Sequence, residues 1–106
     1  MDSVWNIVTI SEARHFSLEE VQRRALTTHG DLGAELLCFE AGQALTALSN
    51  GGTTTYQVLE GEALLRAAGE RSRLGKGKLA TVGADQEHAI ENAGGGLLVV
   101  LAIAAR

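Results

Sequence analysis

A chain of 106 residues has room for one domain, which excludes a cleft between two domains as the place of action. A formal charge of −4 works against nucleic acid or anionic membrane as partners, since both need a basic field. The single cysteine, Cys38, excludes an internal disulfide framework and any multi-cysteine metal site, while 45% hydrophobic residues suffice for one core.

In chain order, residues 4–10 (VWNIVTI) read as a short strand rich in β-branched and aromatic side chains. Ser17 followed by Glu20 has capping-box spacing, and the acidic pair Glu19 and Glu20 would sit at the positive end of a short helix through Val21, Arg24 and Ala25. His29 then falls at the end of that helix or in a loop, and His15 precedes it at the surface. Beyond Gly30, short apolar or alternating runs separated by glycine occupy 34–40, 44–50, 54–60, 62–67, 70–74, 78–83, 88–92 and 97–104. Each is too short for an independent helix, and the spacing is that of an all-β sandwich or barrel. Gly61 and Gly69 read as tight hairpin turns. Cys38 lies in an apolar run and reads as a buried small hydrophobe. The run 97–104 is apolar on both parities, as in a strand covered on two faces. The N-terminus lacks a basic leader and no apolar stretch is long enough to span a membrane, so a cytoplasmic protein is expected.

Two stretches carry a resemblance. GQALTALSNGGTTTYQVLEG, from Gly42 to Gly61, resembles the first motif of the cupin superfamily, in which a glycine, two histidines, a glutamate and a second glycine recur at fixed spacing. GKLATVGADQEHAIEN, from Gly77 to Asn92, resembles the second, with Gly83 at the family's proline position, Asp85 at its glycine, and His88 and Asn92 in register. The resemblance covers about residues 32–104. It implies a single domain over 1–106, an all-β cupin-type double-stranded β-helix (jelly-roll barrel) of about 32–104 preceded by a short N-terminal strand and helix over 4–28. It also implies a homodimer, and the apolar segment 4–10 suits a subunit interface, as does the lone Trp5.

The family uses its motif histidines and glutamate to hold a metal. In this chain those positions are Leu48, Asn50 and Thr54, and His88 alone is kept. Leucine has no donor atom, and neutral amide or hydroxyl oxygens are weak ligands for a transition ion. No His, Asp or Glu lies between Gly42 and Val58 to compensate. Neither a metal nor another cofactor is expected.

Period-two alternation places Leu48 with Asn50, Thr54 with Tyr56, and His88 with Ile90, each pair on one strand face directed at the barrel mouth. Two arrangements remain open. Either these six side chains line a pocket for a small organic ligand, or they fill the barrel, with His88 satisfied by Asn50 or Tyr56. The favoured reading is a metal-free binding or accessory module. The alternative is a small enzyme, an isomerase, dioxygenase or similar, that uses His88 as acid or base or in a non-standard metal site.

Overall fold

The computed structural model describes residues 4–105 and places a strand where the Ser17 signal predicts a helix. Ser17 Oγ accepts a hydrogen bond from the Glu19 amide at 3.2 Å, but this local turn is not propagated. Instead the chain bends and enters β1 (Gln22–His29), which pairs antiparallel with β2 (Leu32–Phe39) along its length. Gly30, with φ of 57°, occupies the first of two turn residues between them, the position where a tight hairpin needs positive φ. His29 therefore closes a hairpin rather than a helix, opposite Leu32. The ladder and the diagonal Arg23–Glu35 ion pair, at 2.5 Å, outweigh a weak helical preference spread over two turns. The expected strand at 4–10 is also absent. Val4–Thr9 has no ladder partner among the described residues, and the regular element there is a single 3-10 turn, Ile10–Ala13.

From β2 onward the expected strands appear with small changes at their ends. They are β3 (Ala44–Leu48), β4 (Thr54–Glu60), β5 (Glu62–Ala67), β6 (Glu70–Gly75), β7 (Leu79–Val82), β8 (His88–Asn92) and β9 (Leu98–Ala105). They form two antiparallel sheets, ordered β1-β2-β9-β4-β7 and β3-β8-β5-β6. Strands β5 and β6 meet at Ala68 and Gly69, both at positive φ, as the hairpin reading requires. Gly61 does something else. It joins β4 of one sheet to β5 of the other, so it turns a corner between sheets. At its φ of 87° a side chain would place Cβ 2.3 Å from the Leu97 carbonyl oxygen, and only glycine fits.

The inner faces of the sheets enclose the main core, centred on Leu37, Phe39, Val58, Ile90, Leu98 and Val100. A smaller cluster lies on the outside of the first sheet. There Leu36, Cys38 and Val99 are covered by Ile10, Ala13 and Phe16 of the N-terminal segment, which Arg14 ties to Glu60. Cys38 is buried in this cluster, as its apolar neighbours indicate. β9 is thus covered on both faces at Leu98–Val100, yet Ile103 on its outer face is 37% exposed.

One irregularity in β3 matters for the site. Leu45 pairs with Ile90 and Leu48 with His88, so three residue steps on β3 match two on β8. Ala47 absorbs the extra residue at a φ of 54°, and the bulge allows both Leu45 and Leu48 to pack on the core. Strict alternation would send them to opposite faces.

Candidate functional site

The register of the first sheet builds a cavity by progressive loss of volume. Across β2, β9 and β4 the inward rungs are Leu37–Val100–Val58, then Glu35–Ala102–Tyr56, then Gly33–Ala104–Thr54. Beyond the first of these, at the other end, Phe39 faces Leu98. β1 extends the last two rungs with Ala25 and Thr28. Side chains therefore shrink and become polar toward one end of the barrel. The result is a cleft of about 400 Å³, within the size range of small-molecule sites. Arg23 and Glu35 border it as an ion pair, with Asp31 nearby on the β1–β2 turn.

Asn50, Thr54 and Tyr56 line this cleft. Asn50 lies beyond the end of β3, where its carbonyl accepts from the Asp85 amide at 2.9 Å and links the two loops at the mouth. Its side-chain Nδ2 donates to Thr54 Oγ1 at 2.8 Å. Tyr56 and His88 meet across the barrel from opposite sheets. The Tyr56 hydroxyl is 2.6 Å from His88 Nε2, and the rings are T-shaped with centroids 5.5 Å apart. His88 Nδ1 lies 2.8 Å from the Gln86 carbonyl oxygen. Burial pushes the Tyr56 phenol above its ordinary pKa, opposed in part by a hydrogen bond from the Asn50 side chain.

Of the six residues that alternation sends to the mouth, the structure brings four together: Asn50, Thr54, Tyr56 and His88. Of the two partners open to His88, it is Tyr56 that bonds the ring. His88 itself does not line the inner cleft. Its other side borders a shallow groove on the second sheet, with Ala47, Arg66, Arg71 and Glu87. Leu48 packs on the core, and Ile90 is fully buried between Leu45 and Leu65. Both lie outside the cleft lining.

The contributions of Arg23, Gly33, Glu35, Ala102 and Ala104 do not emerge from the motif spacing. A faint signal exists in β9, where Leu98 and Val100 give way to Ala102 and Ala104 at every second residue. Asn92, at the opposite end, is structural. It donates to the carbonyls of Glu40 and Gly96 and accepts from the Gly94 amide, which ties the β2–β3 loop to the β8–β9 loop.

The donor set does not fit a metal ion. Leu48 offers no donor atom, and Asn50 and Thr54 are bonded to each other. Both ring nitrogens of His88 are engaged, one by a carbonyl and one by a phenol. Among the described residues no three His, Cys, Asp or Glu side chains lie close enough to share an ion.

The sequence matches no protein-family model and no curated protein. Solved structures do match. A conserved Klebsiella pneumoniae protein with a double-stranded β-helix domain has a TM-score of 0.87 at 21% identity, over 95% of this chain and 90% of the other. A cupin superfamily protein from Desulfitobacterium hafniense has a TM-score of 0.79 at 24% identity, over 99% and 94%. An RmlC-like cupin from Desulfovibrio desulfuricans has a TM-score of 0.78 at 22% identity, over 99% and 96%.

Proposed function

We propose that this chain, whose fold is the double-stranded β-helix of the cupins, binds a small organic molecule in the cleft at the open end of its barrel without a metal. The observation that carries the reading is the series of rungs ending in Gly33–Ala104–Thr54. A barrel that served only as a scaffold gains from large inward side chains at every rung, because unfilled core volume is destabilising. Here the volume is given up on three strands at the same level, where polar groups converge.

The test is a thermal-shift screen of small alcohols, acids and sugars on the wild-type protein and on Ala104→Leu, whose larger side chain occupies the mouth. Ligands that raise the melting temperature of the wild type are expected to lose their effect in the variant. Retention of the shifts by Ala104→Leu rules out this cleft.

A second reading, acid–base catalysis, is favoured by the 2.6 Å contact between Tyr56 and His88. In that case His88 acts on a substrate through the phenol, since Tyr56 rather than His88 lines the cleft. Turnover of a ligand by the wild type, lost in His88→Ala, separates the enzyme from the binding module.

The proposal extends to a cytoplasmic homodimer. Val4, Trp5 and Ile7 are exposed, Trp5 at 69%, and so are Leu79 and Ile103 on the outer face of the first sheet. Such side chains suit an interface between copies. Light scattering that returns a monomer at micromolar concentration removes this part.

A further inference from the structure

Two hydrogen bonds in series set the direction of a proton inside the barrel. The Gln86 carbonyl oxygen can only accept, so His88 Nδ1, 2.8 Å away, carries the ring hydrogen. In the neutral ring Nε2 is then an acceptor, and the Tyr56 hydroxyl at 2.6 Å donates to it. Tyr56 is 3% exposed and His88 5%, which leaves little water to compete for either bond.

The consequence reaches the cleft, because Tyr56 lines it. With its proton committed to His88 and one lone pair turned to the Asn50 side chain, the phenol has nothing to donate there and keeps one further lone pair to accept with. Thr54 has the opposite character. Its oxygen accepts from Asn50 Nδ2 at 2.8 Å, which leaves its own hydroxyl proton free to be given. The polar floor of the cleft therefore offers an acceptor at Tyr56 beside a donor at Thr54. An alcohol hydroxyl answers both, since it donates and accepts through one oxygen. A carbonyl answers only the donor and leaves the phenol oxygen facing lone pairs.

On the reading of the cleft as a ligand site, we infer that Tyr56 determines specificity by selecting a molecule that presents a hydroxyl group at its inner end. His88 is the positioning residue that makes it selective. His88 touches no ligand. It acts by drawing the Tyr56 proton away from the cleft, and the Gln86 carbonyl acts one step further back by fixing the tautomer.

Cyclohexanol and cyclohexanone share a skeleton and differ in this one group, so the experiment titrates each into isotopically labelled protein and follows the methyl resonances of Ala102 and Ala104. The expected result is binding of the alcohol about tenfold tighter than the ketone, as sites built around a hydroxyl reject analogues that lack it. The nitrogen resonances of His88 should report a ring protonated at Nδ1 and bare at Nε2. His88→Leu returns the proton to Tyr56 for use in the cleft, and the tenfold ratio should fall to about one. Tyr56→Phe should lose the preference as well. Equal binding of the two probes by the wild type, or a ratio unchanged in His88→Leu, overturns the inference and leaves the cleft standing as a site. Should His88→Leu fail to fold, the wild-type resonances decide: a ring protonated at Nε2 overturns it. If neither probe moves the alanine methyls, the cleft reading itself falls and the inference falls with it.

Discussion

Along β9 the inward side chains run Leu98, Val100, Ala102, Ala104, and along β2 they run Phe39, Leu37, Glu35, Gly33. One end of the barrel is filled and the other is hollow, although the same strands form both. The filled end is also tied by side chains, with Asn92 bonding two loops and Gln43 joining Glu40 to Ser17. The hollow end is held differently. Its mouth loops are linked through the Asp85–Asn50 backbone bond, and its polar groups satisfy one another in pairs. All three non-glycine residues with positive φ among those described, Ala47, Ala68 and Asp85, lie at this end. Backbone strain of that kind tends to sit at functional positions. The contrast teaches that one set of strands can close-pack the barrel at one end and leave a polar cleft at the other.

The largest expected effect tests the filled end. Phe39→Ala should cost about 3–5 kcal/mol in denaturant melts, as truncation of a buried aromatic usually does. A loss below about 1 kcal/mol would mean that the filled end is not close-packed. At the boundary between the two ends, Tyr56→Phe strands the His88 Nε2 acceptor and should cost about 1–3 kcal/mol. A pair of substitutions on one face of β9 then compares the ends directly. Val100→Leu overpacks the core and should destabilise by about 1–3 kcal/mol, whereas Ala104→Leu extends into the cleft and should cost less than about 1 kcal/mol. Equal costs would remove the distinction between filled and hollow.

Ionisation gives a smaller and more local probe. Tyr56 is the one tyrosine of the chain, so phenolate absorbance reports it alone. Its pKa is raised in the folded protein, chiefly by burial. A raised value means that the native state holds this proton more tightly than the unfolded chain does. The contribution to stability is therefore complete below the ordinary tyrosine value of about 10 and is lost as pH rises through the folded value. Alkaline titration of the native protein should give a midpoint above that of the urea-unfolded chain. A coincident midpoint would place Tyr56 in water. The smallest effect belongs to the bulge, where Ala47→Gly should stabilise by about 0.5–1 kcal/mol if its left-handed φ is a real strain.

The barrel strands were legible in the sequence because each is short, bounded by glycine and alternating or fully apolar. Residues 17–29 were not legible, for a definable reason. The Ser17–Glu20 spacing is a local signal, whereas β1 is made by a partner on the far side of Gly30 and by an ion pair between Arg23 and Glu35. The bulge at Ala47 was equally hidden, since nothing in ALTAL announces that Leu45 and Leu48 share a face. The polar half of the site, Asn50, Thr54, Tyr56 and His88, followed from motif spacing and alternation. Its hollow half did not. A cleft is an absence of volume, and Gly33, Ala102 and Ala104 read individually as ordinary strand residues until the register sets them side by side.

The position of β9 bears on how the chain is made. It lies between β2 and β4 in the centre of the first sheet, although it comes last of the nine strands in the described sequence. Until Leu98–Ala105 has left the ribosome, β2 and β4 have no common neighbour and the barrel has only one of its sheets in full. The β1–β2 hairpin and the second sheet can form early, but neither encloses a core. The central strand of the first sheet is thus the last of the nine described strands to be made, and the cleft comes into being in the same step that completes the barrel.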